Sequence, residues 1–443
     1  MRSYNLFIIF LVLLLGTWAC SLPFPSASSE PDEPDLDEVA TAVALTLAAI
    51  EGDGPPPEDP PTPPPAVMRI AYLDDNDLWL WTEGGTTVEL YDDATFDVSD
   101  VRLSDDGQVV VFTLRDSFDF IGLWAINTDG TNVRELVDAA TIYAMSTEPA
   151  VAGVNPYQWD FVPGTHTIAF NTRLQFEGPG LFIQDDLRLV DADTAALSTL
   201  LTPGNAGQFY YSPDGSQIAL VKPSSISLIN ADGSNRRDSV LTYEPVNTYS
   251  EYHWYALPRW SAESSSLAVV IPSADILDIA STIEIYDIPL DGSPAVSLGS
   301  TAAVAPIRNQ APTISPDLKM VAFTRRVGPI DSLLDELHFL NPSSGVITLY
   351  YTATNLDFES WSPNGTHFIF SEGGSRLMGE LEAGFSPVGG LTDVRQVVWI
   401  DDTTFLFANG GFGTWQIQIG SLSGPNILIA TLSANFVSFD FSN

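Results

Sequence analysis

Residues 211–220 read YSPDGSQIAL, and this stretch of the 443-residue chain decides the fold. The aromatic Tyr211 is followed by Ser-Pro-Asp-Gly, and a strand-like run then ends in Ile-Ala-Leu. Proline fixes its own φ, aspartate hydrogen-bonds to the nearby backbone, and glycine accepts a positive φ. The stretch therefore predicts two short strands joined by a tight turn.

The same pattern of anchor, turn and apolar strand returns along residues 67–443, with anchors 38 to 58 residues apart. The anchors are Leu103, Phe161, Tyr211, Trp260, Ile314, Trp361, Trp399 and Phe441. Several units carry a second turn, at Gly130, Gly233 and Gly292, which adds a second hairpin. Two hairpins make four strands, and this repeat length is typical of a propeller blade.

The motifs YSPDGSQIAL (residues 211–220), WSPNGTHFIF (361–370) and ISPDLKMVAF (314–323) resemble the TolB-like, WD40-like β-propeller repeat family. The resemblance implies an all-β fold, a β-propeller of four-stranded blades, over residues 67–443.

The two ends of this region complete each other. Residues 69–72 resemble the second strand of a blade that lacks its first strand, and Phe441 fits the anchor of a first strand with nothing after it. Pairing the two ends in one blade removes two free sheet edges. The anchors then predict eight blades, with seven as the alternative because Trp399 and Phe441 match the pattern least well.

Composition limits the possible partners and cofactors. The chain has 57 acidic and 17 basic residues, a net charge of −40, which repels nucleic-acid phosphates and excludes DNA or RNA as an expected partner. Its four histidines are scattered singly, without metal-ligand spacing. We expect no metal and no cofactor.

The N-terminal sequence predicts a secretion signal and a membrane anchor. Residues 1–19 have a basic start, an apolar run and small residues before Cys20, as in a secretory signal peptide. The signal resembles the lipobox of bacterial lipoproteins, which implies a lipidated Cys20 and a protein held on the cell membrane, facing the outside or the periplasm. An ordinary signal with an incidental cysteine is the alternative. Residues 20–66, rich in proline and acids, predict a stalk with a possible short helix at 36–50.

Long insertions predict the ligand-binding face. In a four-stranded blade the short Asp-Gly turns lie on one face of the disc, and the other connections lie on the opposite face. Residues 137–155, 171–185, 242–257, 272–281 and 327–335 are insertions of the second kind. Variable loops on a rigid scaffold commonly carry binding sites.

Two groups of side chains on those loops are candidate ligand-binding residues. Aromatic and related residues could stack on sugars or anchor peptides: Phe118, Phe120, Tyr252, His253, Trp254 and Tyr255, with Tyr243, Tyr249, Phe176 and Phe412 as further aromatics. Basic residues follow the central strands and could bind a carboxylate: Arg115, Arg173, Lys222, Arg325 and Arg326. The alternatives are that the aromatics pack the loops and that the cations neutralise nearby acids.

No catalytic motif is present in the sequence, so the leading hypothesis is a non-catalytic module of the cell envelope that binds protein, peptide or glycan. The competing hypothesis is a carbohydrate-active lyase or hydrolase with its site in the central funnel. Glu251, His253 and Arg259 would then be the first catalytic candidates.

Overall fold

The computed structural model describes residues 67–442, except 118, 147, 149–150, 178–181, 305–310, 330, 382, 388–393, 412 and 434–436. The expected signal, Cys20 and the stalk lie outside these residues, as do Phe118 and Phe412.

Thirty-three strands form eight sheets, and each sheet is one blade. Blade 1 is β33 (Phe439–Ser442), β1 (Arg69–Asp74), β2 (Asp77–Thr82) and β3 (Val88–Tyr91). Blade 2 is β4 (Asp97–Leu103), β5 (Val109–Asp116), β6 (Asp119–Asn127) and β7 (Arg134–Asp138). Blade 3 is β8 (Gly153–Phe161), β9 (Thr167–Gln175), β11 (Leu187–Asp191) and β12 (Leu197–Leu201), with β10 (Phe182–Ile183) added beside β9. Blade 4 is β13 (Gln208–Tyr211), β14 (Gln217–Lys222), β15 (Ser225–Asn230) and β16 (Arg237–Thr242).

The remaining four blades follow the same order. Blade 5 is β17 (Arg259–Trp260), β18 (Leu267–Pro272), β19 (Thr282–Ile288) and β20 (Val296–Ala302). Blade 6 is β21 (Thr313–Ile314), β22 (Val321–Arg326), β23 (Leu334–Asn341) and β24 (Val346–Thr354). Blade 7 is β25 (Leu356–Trp361), β26 (His367–Glu372), β27 (Ser375–Glu380) and β28 (Phe385–Pro387). Blade 8 is β29 (Val394–Trp399), β30 (Thr404–Gly411), β31 (Thr414–Ser421) and β32 (Ile427–Leu432). Strands are called A to D from the channel outwards.

The apolar core is divided among the interfaces between blades. Eight clusters of buried side chains each join two consecutive blades, and the last joins blade 8 to blade 1. In that last cluster Ile70 and Tyr72 of blade 1 pack with Leu406 and Trp415 of blade 8. The ring is therefore closed, and the all-β propeller of eight blades is confirmed.

The Ile-Ala-Leu motif of blade 4 is explained by the alternation of strand B. Ile218 and Leu220 face blade 3, whereas Ala219 faces blade 5 and lies in one cluster with the anchor Trp260. A small side chain at this position leaves room for the next blade's indole. The indole Nε1 of Trp260 also donates a hydrogen bond to the carbonyl of Tyr210, at 3.0 Å, which ties the inner strands of the two blades together.

The turn after the anchor Tyr211 is held by its serine and its aspartate. The buried Ser212 hydroxyl accepts the N–H of Gln217 at 2.9 Å and donates to Asp214 Oδ1 at 2.6 Å. Hydrogen bonds from Ser212 and Ser216 lower the pKa of Asp214 to about 2. Gly215 has φ +70, so this turn needs the residue that adopts it without strain. The turn is therefore held mainly by residues of its own hairpin, with one further bond from the Asp214 N–H to Ser264 Oγ of blade 5 at 3.0 Å.

Blade 1 is built from both ends of the propeller. Strand β33 pairs antiparallel with β1, with Phe439 opposite Tyr72 and Phe441 opposite Ile70. The carboxylate of Asp440 then accepts the N–H of Leu103 in blade 2 at 2.8 Å. The predicted closure by the two ends is confirmed, and it links blade 1 to both of its neighbours.

The five long insertions all connect strand B to strand C or strand D to the next strand A, so they lie on one face, called the loop face below. The first insertion contains a short helix, α1 (Ala139–Tyr143), whose N-terminus is capped by Asp138. Within the described part of the chain, no helix is both long and apolar enough to cross a membrane.

Candidate functional site

Four of the five predicted cations are close to a carboxylate. The pairs and their shortest N···O distances are Arg115–Asp100 at 3.8 Å, Lys222–Asp185 at 3.7 Å, Arg325–Glu336 at 2.6 Å and Arg326–Asp335 at 2.6 Å. Arg326 and Asp335 are both buried. These four side chains are neutralised locally, so the structure does not present a continuous positive ring.

Arg173 differs from the other four. Its guanidinium carbon lies 6.0 Å from the ring centroid of Tyr157, and its buried Nε has no hydrogen-bond partner among the described residues. No carboxylate of the described chain is within salt-bridge distance of it. Within the described residues its charge has no ionic partner, and it lies beside the exposed ring of Tyr157.

The aromatic candidates separate into buried and exposed side chains. Phe120 is 5% exposed and packs in the core between blades 2 and 3, so it is unavailable to a ligand, contrary to the expectation of an exposed ring. Tyr252 is 50% exposed, and Tyr249, whose hydroxyl donates to Asp275 at 2.6 Å, is 56% exposed. Trp254 and Tyr255 are half-buried against the core between blades 4 and 5.

Side chains of blades 3 to 5 come together around Asp185 on the loop face. Burial raises the pKa of Asp185, while the charges of Lys222 and His253 act to lower it. Burial, followed by the charge of Asp185, raises the pKa of Tyr255 well above its usual range. We call Tyr157, Arg173, Asp185, Lys222, His253 and Tyr255 the blade 3–5 cluster. It gathers four of the predicted ligand-binding residues in one place, while Arg115, Arg325 and Arg326 belong to other blades.

A cavity of about 770 Å³ lies beside this cluster. Its lining includes Glu148, Leu174, Phe176, Phe182, Ile183 and Asp185. Ile183 is the direct strand partner of Arg173, so the cavity and the free guanidinium share one wall. The sequence predicted Phe176 and the insertion that forms this wall, but not Glu148 or Phe182.

The wall of the central channel carries a ring of polar side chains, called the channel tier, which the sequence analysis did not predict. The residue before each anchor is partly or fully exposed although its strand partner is buried, as for Asp160 opposite Ala169. Arg102 lies between two carboxylates of this tier. Asp160 is 3.9 Å away in the following blade, and Asp440 belongs to the preceding blade. Burial raises the pKa of Asp440 to about 6 and also raises that of Asp160, whose side chain is nonetheless 64% exposed to channel water. These residues could have been found from the sequence, because each of them lies one residue before an anchor.

The three residues named for a catalytic alternative occupy different environments. Arg259 belongs to the channel tier, where it is exposed but surrounded by enough protein for desolvation to lower its pKa. Glu251 and His253 are exposed in the loop that precedes β17. Among the described residues, no three His, Cys, Asp or Glu side chains are arranged to hold a metal ion.

Comparison with known proteins identifies the fold. No protein-family model matches the sequence, and the search of curated proteins found no match. A eukaryotic initiation factor superposes with a TM-score of 0.50 at 11% identity, covering 84% of this chain and 97% of that one. Dipeptidyl peptidase 4 of Porphyromonas gingivalis gives 0.48 at 14% identity, over 75% of this chain but only 53% of the peptidase. TolB from Acinetobacter baumannii gives 0.38 at 12% identity, over 84% and 82% of the two chains. At these identities the likeness concerns architecture alone: the protein is an eight-bladed β-propeller.

Proposed function

We propose that the protein is a non-catalytic binding module of the cell envelope, and that its loop face binds a protein, peptide or glycan at the blade 3–5 cluster. The observation that carries the proposal is the guanidinium of Arg173, which forms no ion pair with any described residue and lies beside the exposed ring of Tyr157. A charged group that is half-buried and unpaired costs stability, and a ligand carboxylate bound to it would offset that cost.

The ligand's acidic group would pair with Arg173, and its rings or apolar groups would contact Tyr157 and Tyr252. Arginine is well suited to this task because its planar fork binds a carboxylate through two parallel hydrogen bonds. Phe120 has no part in the proposed site, since it is buried, and neither do Arg325 and Arg326, which already hold carboxylates.

Replacing Arg173 with glutamine is expected to weaken ligand capture by about 10- to 100-fold, because a hydrogen bond to a charged group contributes about 1.5–3 kcal/mol. The full chain would be applied to arrays of peptides and of acidic glycans. Arg236→Gln is the matched control, since Arg236 already pairs with Asp238 at 2.6 Å. Equal capture by the wild type and Arg173→Gln would refute the site, and turnover of a captured glycan would favour a carbohydrate-active enzyme.

Lipidation of Cys20 would place this module on the membrane. In a bacterial host that processes lipoproteins, Cys20→Ala is expected to abolish incorporation of labelled fatty acid and to release the protein from the membrane fraction. A Ser21→Ala variant, altered one residue away, should still be labelled and retained. Labelling of Cys20→Ala equal to that of the wild type would show that the anchor is elsewhere.

A further inference from the structure

The cavity beside the blade 3–5 cluster has an aromatic wall. Phe176 and Phe182 meet edge to face, with ring centroids 5.4 Å apart and an interplanar angle of 90°. Phe182 is 54% exposed, although it is large and apolar. Such a pair can cover a flexible alkyl chain, and an aromatic ring also attracts a cation placed over its face.

Carboxylates outnumber cations at the rim of the same cavity. Glu148 is exposed and forms no ion pair within the described part of the chain. Asp185 has Lys222 at 3.7 Å, but the Lys222 ammonium also donates to the carbonyl of Gly204 at 2.6 Å. Glu148 is therefore the rim carboxylate without an ion pair in the described part of the chain, while Asp185 shares its charge with Lys222.

The charge of the whole molecule acts in the same direction. A net charge of −40 attracts cations from a distance and raises their concentration in concave sites lined by acids. An aromatic wall, acids at the rim and a strongly negative field together favour a group that has a long alkyl part and a cationic end.

We propose that this cavity binds a lysine or arginine side chain of a peptide ligand, with the alkyl part against Phe176 and Phe182 and the cation at Glu148 and Asp185. The inference rests on the proposed function and narrows it, because Arg173 is the strand partner of Ile183, which lines the cavity. The ligand would then carry an acidic and a basic group close together, which peptides commonly provide and neutral glycans do not.

Fragments that reproduce the two side chains test the cavity directly. We expect n-butylguanidinium or n-butylamine to bind the full chain at least about 10-fold more tightly than the neutral n-butylurea or n-butanol, measured by NMR titration. The guanidinium and amine series distinguish an arginine from a lysine pocket.

Two substitutions test whether Glu148 and Asp185 cause the expected preference for charged over neutral fragments. Glu148→Gln combined with Asp185→Asn should reduce the ratio between the charged and neutral fragments to below about 3-fold, because the Coulomb attraction is lost. Asparagine tolerates the φ of +51 at position 185, so folding is not the limiting factor. Glu263→Gln removes the same charge from an exposed turn on the opposite face and should leave the ratio unchanged.

The outcomes separate this inference from the proposed function. Equal affinity for charged and neutral fragments, or an undiminished ratio in the double variant, overturns the basic-side-chain pocket. If array capture still depends on Arg173 in that case, binding at the blade 3–5 cluster stands. Capture of acidic glycans without any basic peptide would likewise overturn the pocket while leaving the module a binder.

Discussion

Truncating the chain after Ser438 is expected to lower the melting temperature by about 10 °C or more, or to prevent folding altogether. The truncation removes β33, which supplies four strand pairs to β1 and inserts Phe439, 5% exposed, into the core between blades 8 and 1. Loss of a buried phenylalanine alone costs about 3–5 kcal/mol. In domains of 150–250 residues each kcal/mol corresponds to about 2–4 °C.

The truncation should also change the association state. Without β33 the backbone groups of β1 are left as an open sheet edge, which favours pairing between molecules. Circular dichroism melting and size-exclusion chromatography report the two effects separately. Deleting residues 55–59 from the proline-rich stretch is the control and should leave the melting temperature unchanged. A truncated protein that melts with the wild type as a monomer would show that the ring does not depend on its last strand.

Phe405→Ala is the second change with a large expected effect, a loss of about 3–5 kcal/mol in the free energy of unfolding. Phe405 is 1% exposed and packs between Trp399 and Phe407, with centroid distances of 5.8 and 5.7 Å. Its ring lies on Gly420, where a Cβ would come within 2.4 Å of Phe405 Cε2. Gly420→Ala should therefore cost about 1–3 kcal/mol by overpacking.

A double-mutant cycle tests whether these two costs share one cause. The three heavy atoms nearest to a Cβ at Gly420 all belong to the Phe405 ring, so removing the ring makes room for the new methyl group. The double variant should lose less than the sum of the two single losses, by about 1 kcal/mol or more, in urea denaturation. Gly411→Ala, where nothing lies within 4 Å of the added Cβ, is the control. Strict additivity would mean that Gly420 has another function.

The sequence was sufficient to predict the fold because the residues that form the turns and strands of a repeat lie within that repeat. Ser212, Asp214 and Gly215 form their turn through bonds within six residues, and the alternation of Ile218, Ala219 and Leu220 follows from the strand itself. Blade closure was also visible, because an incomplete strand set at one end matched the missing strand at the other.

The site was less predictable because its properties depend on strand register and on neighbouring blades. Arg326 looked like a surface cation, but the register of β22 and β23 places Asp335 opposite it. Phe120 lies at the start of β6, and only the observed alternation shows that it faces the core. The proximity of Glu148 to Asp185 joins the connection between blades 2 and 3 to a loop within blade 3, which no local pattern contains.

The composite first blade has a consequence for how the protein is made. In the sequence β1 precedes blade 2 and β33 follows blade 8, so the first sheet cannot acquire its innermost strand until blades 2 to 8 have been synthesised. Blades 2 to 8 can each form from contiguous sequence, but the final joint waits for the C-terminal segment. Until β33 has been made, β1 keeps an unpaired edge that favours pairing between molecules.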